Sequence, residues 1–335
     1  MKRLVRLLVI PALLAACATP PTIRTAKIVP ARVPDASRPR QVAIVPLEGD
    51  KDGVFTAALE KSLAGISVDG HPYFTTIEPG KVGAAVAARQ STVQPQADAD
   101  AVAIGRATGA AGVLTGAVKV EFEERQPREQ RTVCLRADED GGCLRWGDSS
   151  VTCKQRETRI AFSPRLIVTD NGRISYAKTI RAKSSAVACS DSTTPASGQK
   201  ELFRQTEELI LKEFRKDIAP YFVSTEVPVM NSSDGIPSGE GRDLFIQGLL
   251  AAEDNRPDRA CVLWEKAEHF TTSSPSLLYD LGVCHELAGE MDLALEDYQK
   301  AAALLKSPDE RVSTALERVR KEIANRAKVA GETGK

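Results

Sequence analysis

Seven cysteines offer the most chemistry in this sequence, and their positions divide them into one and six. Cys17 closes an apolar run, whereas Cys134, Cys143, Cys153, Cys189, Cys261 and Cys284 lie in the body of the chain. No two of the six are spaced as CxxC, the pair used by zinc sites and by dithiol redox centres. An even set in an exported chain points to structural disulfides, and the four between 134 and 189 leave three pairings open. Cys261 and Cys284 are read with equal weight as a bridge or as two small buried thiols. His71, His269 and His285 are scattered, and each is expected to be structural. The glycine-rich stretch from Gly105 to Gly116 lacks the Lys-Ser/Thr of a phosphate loop and enters a strand instead of a helix. Neither a GxSxG elbow nor an HExxH helix occurs, and Glu123-Glu124 belongs to a charged surface run. The expectation is therefore no catalytic residue, no cofactor, no metal and no enzyme.

Cys17 has a context of its own. Lys2, Arg3 and Arg6 precede the apolar segment Leu7 to Ala16, the layout of a secretory leader, too short for a membrane-spanning helix. Leu14-Ala15-Ala16-Cys17 resembles the bacterial lipobox, in which the cysteine sulfur receives a diacylglycerol and the new N-terminus is acylated after cleavage. One acyl chain holds a protein only marginally, and two or more hold it stably. Residues 1–16 are thus the expected leader and Cys17 the expected lipidation site. Ala18, in place of aspartate, implies passage to the outer membrane, facing the periplasm or the cell surface.

Equal numbers of Lys+Arg and Asp+Glu, 45 each, remove global charge as an attraction to nucleic acid. Apolar residues at 42% suffice for a core, and the length suits two domains. Residues 17–40 carry five prolines and few large apolar side chains, and are expected to form an extended tether.

The folded elements begin with Val42 to Val45, a continuous apolar run expected as a strand buried on both faces. Phe55, Ala58, Leu59, Leu63 and Ile66 have helical spacing. A short strand around Phe74 follows, then helices over Gly80 to Gln90 and Asp98 to Thr108. Val118, Val120 and Phe122 alternate with Lys119, Glu121 and Glu123, the pattern of a strand with one wet face. Asp170-Asn171-Gly172 joins two further strands as a hairpin. Leu202, Thr206, Leu209, Ile210, Phe214 and Ile218 give a closing amphipathic helix.

This order predicts an α+β fold, a mixed-sheet α/β sandwich. The stretches VAIVPLEGD, FTTIEPG, ATGAAGVLTGAVKV and LKEFRKDIAPY resemble the curli-assembly (CsgG-like) domain, shared by the curli secretion lipoprotein and the outer-membrane activator of a penicillin-binding protein. The resemblance runs over residues 41–224 and implies an envelope protein that works by assembly or by touching partners. The chain departs from that pattern at residues 124–156, a polar, cysteine-bearing excursion. A membrane barrel strand needs about ten residues with one apolar face, and here Arg, Asp, Glu and Gly fill the alternate positions. A solvent-exposed hairpin stapled by disulfides, with Cys189 close enough to join, is the expectation.

Residues 225–240 read as a linker from their Ser, Gly and Pro content. Beyond it the sequence repeats: Leu244, Gly248, Ala260, Trp264 and Ala267 recur 34 residues later as Leu278, Gly282, Ala294, Tyr298 and Ala301. This resembles the tetratricopeptide repeat and implies a small all-α domain over residues 241–328 with a capping helix from Pro308 to Lys328. From Glu240 to Glu310 there are fifteen acidic against six basic residues. That surplus is expected on a solvated helix face, with an acidic groove for a basic segment as the alternative.

Together these features predict a non-catalytic, lipid-anchored envelope adaptor. It would be held to the membrane through Cys17 and would bind periplasmic or outer-membrane proteins in peptidoglycan synthesis or surface assembly. An oligomeric, curli-type export component is the alternative, with self-association of the chain.

Overall fold

The computed structural model describes residues 20–68, 70–89 and 98–333, so the leader and Cys17 lie outside the described part. In chain order the elements begin β1 (Thr22–Val29), α1 (Pro34–Ser37), β2 (Gln41–Ile44), α2 (Val54–Ala64), β3 (Ser67–Val68), β4 (His71–Pro72) and β5 (Thr75–Thr76). They continue α3 (Pro79–Ala87), α4 (Asp98–Thr108), β6 (Gly112–Arg125), β7 (Arg128–Ala137), β8 (Cys143–Val168), β9 (Ile174–Ala177) and β10 (Ile180–Cys189). The last are α5 (Gln199–Ile218), β11 (Tyr221–Pro228), α6 (Glu240–Glu253), α7 (Pro257–Glu268), α8 (Pro275–Ala288), α9 (Met291–Leu304) and α10 (Glu310–Thr333). Among the described residues they form two compact units, one built on Val29–Tyr221 and the other on residues 20–28 with Phe222–Ala327.

The first unit is the α+β sandwich. Its mixed sheet has the order β10-β8-β6-β2-β5, with β7 and β9 also paired to β8. β2 runs parallel to β5 and β6, while β6–β8 and β8–β10 are antiparallel. Alternation along the strands sends side chains to two helical layers. Ala43, Val113 and Ile167 pack on Val82 and Val86 of α3 and on Ala101 and Ile104 of α4. On the other face Phe162 meets Phe55 of α2 and Phe214 of α5, with ring centroids 5.0 and 5.4 Å apart. The Asp170-Asn171-Gly172 turn needs its glycine, which sits at φ 69° in the left-handed region. Leu209, placed by periodicity on the inner stripe of α5, is 47% exposed, and Glu207 is buried on that helix instead.

β8 is 26 residues long and outruns the helices. The β6–β8 ladder extends unbroken from Gly112↔Val168 to Arg125↔Gln155, and beyond it β8 continues with β7 as a two-stranded hairpin.

The second unit corrects two expectations. The proline-rich stretch is not a free spacer, because residues 22–29 form β1, which pairs with β11. The Pro21 carbonyl accepts the Val229 N–H at 2.9 Å and Arg24 pairs with Glu226 at 3.0 Å, so the strands run in opposite directions. The sequence TIRTAKIV buries Ile23, Thr25 and Ile28, and the prolines around it bound the strand. Further on, Ala36 and Ser37 of α1 are also buried. The stretch expected as a linker is not loose either. Val227, Val229, Met230 and Ile236 join the helical core, and the Met230 N–H donates to the Asp280 carboxylate at 2.8 Å.

Helices α6 to α9 pack as two successive pairs, and the repeated residues explain the period. A Cβ on Gly248 would stand 2.2 Å from Trp264 Nε1, and one on Gly282 would stand 2.7 Å from the Tyr298 ring. Each first helix thus meets the aromatic of its second helix through a glycine, and both aromatics are fully buried. Val312, Ala315 and Val319 of α10 close the core. The surplus acids are not all solvated. Asp280, Glu286 and Asp297 are buried, facing the Met230 N–H, the Tyr298 hydroxyl with Arg318, and His285.

Candidate interaction surface

The hairpin of β7 and β8 is fixed at both ends. At its base Cys153 and Cys189 stand opposite each other in the β8–β10 register and are joined by a disulfide. With Val151 they form a small buried cluster outside the main sandwich core. Arg131 covers it, its guanidinium 3.0 Å from Cys189 Sγ and paired with Glu129 at 2.9 Å and Asp191 at 3.3 Å. These carboxylates raise the Arg131 pKa. The Cys153 N–H donates to the Pro127 carbonyl at 2.9 Å, which seats the start of β7.

At the tip a second disulfide joins Cys134 to Cys143, with Cα atoms 5.6 Å apart. Asp138 turns the chain: its N–H donates to the Gly142 carbonyl at 2.8 Å, and its carboxylate accepts the Gly142 N–H. The ladder shifts register between Cys134 and Arg136, leaving Leu135 as the extra residue of a bulge. Leu135 then lies across Gly147, where an added Cβ would stand 2.4 Å from its Cδ1.

At and beside the tip staple the hairpin presents apolar surface to solvent. Leu135 is 54% exposed, Leu144 61% and Trp146 64%. Leu144 and Trp146 lie two apart on β8, and Leu144 is the extra residue at a second register shift, between Arg136 and Ala137. Arg136 and Arg145 are opposite each other in register, and Asp138, Glu139 and Asp140 make the turn acidic. Aromatic and arginine side chains are the types enriched at protein interfaces, and a rigid scaffold lowers the ordering cost of binding.

A second surface feature is a shallow cleft of about 430 Å³ on the open sheet face, lined by Lys119, Glu121, Arg159, Ala161, Arg181 and Lys183. Its charges are mostly paired: Lys119 with Glu121 at 2.7 Å, Arg159 with Glu123 at 3.4 Å, and Lys183 with Glu157 at 3.5 Å. Hydrogen bonding to Lys119 holds the Glu121 carboxyl below its ordinary range.

The remaining sequence-singled residues fall elsewhere. Cys261 of α7 is bridged to Cys284 of α8. His71 is in β4, His269 ends α7, and His285 of α8 pairs its Nδ1 with Asp297 Oδ2 at 2.7 Å. Two buried acids in the sandwich carry no sequence signal. Asp217 of α5 accepts from Tyr176 and Lys178, both at 2.8 Å. Burial opposes its ionisation, but the Lys178 and Tyr176 hydrogen bonds prevail and its pKa is lowered. Glu207 has a carboxylate oxygen without a partner, and burial, then Asp50 and Glu208, push it up to about 7.

The chain is thus an α+β protein with a mixed-sheet core, an all-helical C-terminal region and three disulfides, the mark of an oxidising, extracytoplasmic compartment. Among the described residues no helix is long and apolar enough to cross a membrane. No protein-family model and no curated protein matches it. Among solved structures it is similar to a chain described as the crystal structure of lipoprotein GNA1162 from Neisseria meningitidis. The identity is 17%, over 53% of this chain and 99% of that one, with a TM-score of 0.23. Similarity of that degree defines no family.

Proposed function

We propose that this protein is a non-catalytic envelope adaptor, anchored by acyl chains on Cys17 to the outer membrane, that docks other proteins through its stapled hairpin. The observation that carries the docking role is the hairpin itself. Trp146, Leu144 and Leu135 stand more than half exposed on a strand pair locked by Cys134–Cys143 and Cys153–Cys189. Solvent-facing apolar side chains on a preorganised frame suit a protein partner in the periplasm, in cell-wall synthesis or surface assembly. The helical unit would supply a second docking face. Crosslinking in intact cells followed by pull-down tests this. A partner captured by the native protein and lost with Trp146→Ser/Leu144→Ser supports the adaptor, and equal capture by both contradicts it.

The export-component reading has one observation in its favour. Among the described residues β7 pairs only with β8, which leaves its outer edge free to pair with another copy. A closed multi-subunit ring on sizing in mild detergent would establish that reading, and a monomer would remove it.

A further inference from the structure

We infer that the Pro21–Val229 end of the β1–β11 ribbon in the helical unit faces the lipid headgroups. The inference depends on acylation of Cys17, taken from the proposed function, and adds which surface the anchor holds down. Cys17 precedes Pro21 by four residues. A chain advances at most about 3.3–3.6 Å per residue, so Pro21 stays within about 14 Å of the acylated residue. The headgroup layer on each side of a bilayer is itself about 5–8 Å thick.

Pro21 is not free to drift from the unit. Its carbonyl holds the Val229 N–H, and Arg24 holds Glu226 one step further along. At the far end of β1 the Ile28 N–H donates to the buried Glu322 carboxylate at 3.0 Å, and Asn325 donates to the Ile28 carbonyl at 3.0 Å. Lifting the unit from the membrane by more than the contour length from Cys17 to Pro21 would require stripping β1 from β11. That would expose Ile23 and Val227, 1% and 0% accessible in the fold.

The chemistry of the contacting end selects the kind of lipid contact. Pro20, Thr22 and Asn231 are exposed there and uncharged, and the exposed Arg24 beside them is neutralised by its pairing with Glu226. Contact through such groups is insensitive to headgroup charge and to salt, unlike a polybasic patch.

The test uses the full acylated chain in nanodiscs containing headgroup-nitroxide lipid. The six body cysteines are bridged, so an added cysteine can be labelled with a fluorophore. At Thr22→Cys the label is expected to be quenched several-fold more than at Glu290→Cys. Glu290 follows Gly289, whose carbonyl accepts from Arg326, the partner of Glu322. The difference should be the same in phosphatidylcholine and in mixtures with phosphatidylglycerol. A Gly/Ser insert of about 20 residues after Ala18, spanning about 25 Å, should abolish the quenching at Thr22. Equal quenching at the two sites, with acylation verified by mass, would overturn the inference, as would quenching at Thr22 that survives the insert. Absence of acyl chains on Cys17 would instead remove the anchor reading on which it depends.

Discussion

Cys153 and Cys189 face each other across β8 and β10, and their disulfide ties the base of the exposed hairpin to the edge of the sheet. The Cys134–Cys143 bridge lies within the hairpin alone. The two therefore differ in what they stabilise. In the chain-entropy account a bridge spanning 36 residues contributes about 4 kcal/mol and one spanning 9 about 3 kcal/mol. Removing Cys153 and Cys189 together should lower the melting temperature of the sandwich. Removing Cys134 and Cys143 should leave that temperature nearly unchanged while opening Arg136 and Arg145 to trypsin. Melting and limited proteolysis of the two double variants check this.

The hairpin surface should be separable from stability. Trp146 and Leu144 are largely exposed, so Trp146→Ser and Leu144→Ser should each change stability by less than about 0.5 kcal/mol. Gly147→Val behaves differently, because its side chain would displace Leu135. Denaturant unfolding checks all three.

The repeated glycine–aromatic contact makes a prediction of sign. Gly248→Ala should destabilise the helical unit by about 1–3 kcal/mol through overpacking against Trp264. Combining it with Trp264→Phe should cost less than the sum of the two single changes, because the smaller ring makes room. A double-mutant cycle in urea measures the coupling.

Glu207 should make the sandwich more stable in mild acid. Its folded pKa of about 7 lies above the ordinary 4.5, so the folded state holds this proton more tightly than the unfolded chain. The contribution is fully present below 4.5 and is lost as pH rises through 7. Glu207→Gln should therefore raise stability at pH 8 by on the order of 1–3 kcal/mol relative to wild type, with little gain at pH 4. Asp217, with its lowered pKa, acts in the opposite direction and loses its contribution only as pH falls below the ordinary carboxylate range. Unfolding curves at several pH values separate the two.

Much of this architecture is legible locally. The alternation in β6, the Asp170-Asn171-Gly172 turn and the 34-residue recurrence of Gly248 and Trp264 each depend on neighbours in sequence. The β1–β11 ribbon is not legible, because Arg24 meets Glu226 across two hundred residues and the flanking prolines imitate a spacer. Glu207 reads as one more surface acid of α5, and only the packing of α5 against α2 and the sheet reveals its burial. The exposed hairpin over residues 124–156 is legible from its polar alternate positions, but that its apolar Leu144 and Trp146 also face solvent is not, since apolar residues ordinarily point inward.

The central claim is an adaptor fixed to the membrane at Cys17, and mass spectrometry of the native N-terminal peptide from the membrane fraction tests it most directly. A peptide that begins at Cys17 and carries fatty acyl chains is the predicted result. Recovery of the native protein in the soluble fraction, with an unacylated Cys17, would contradict it.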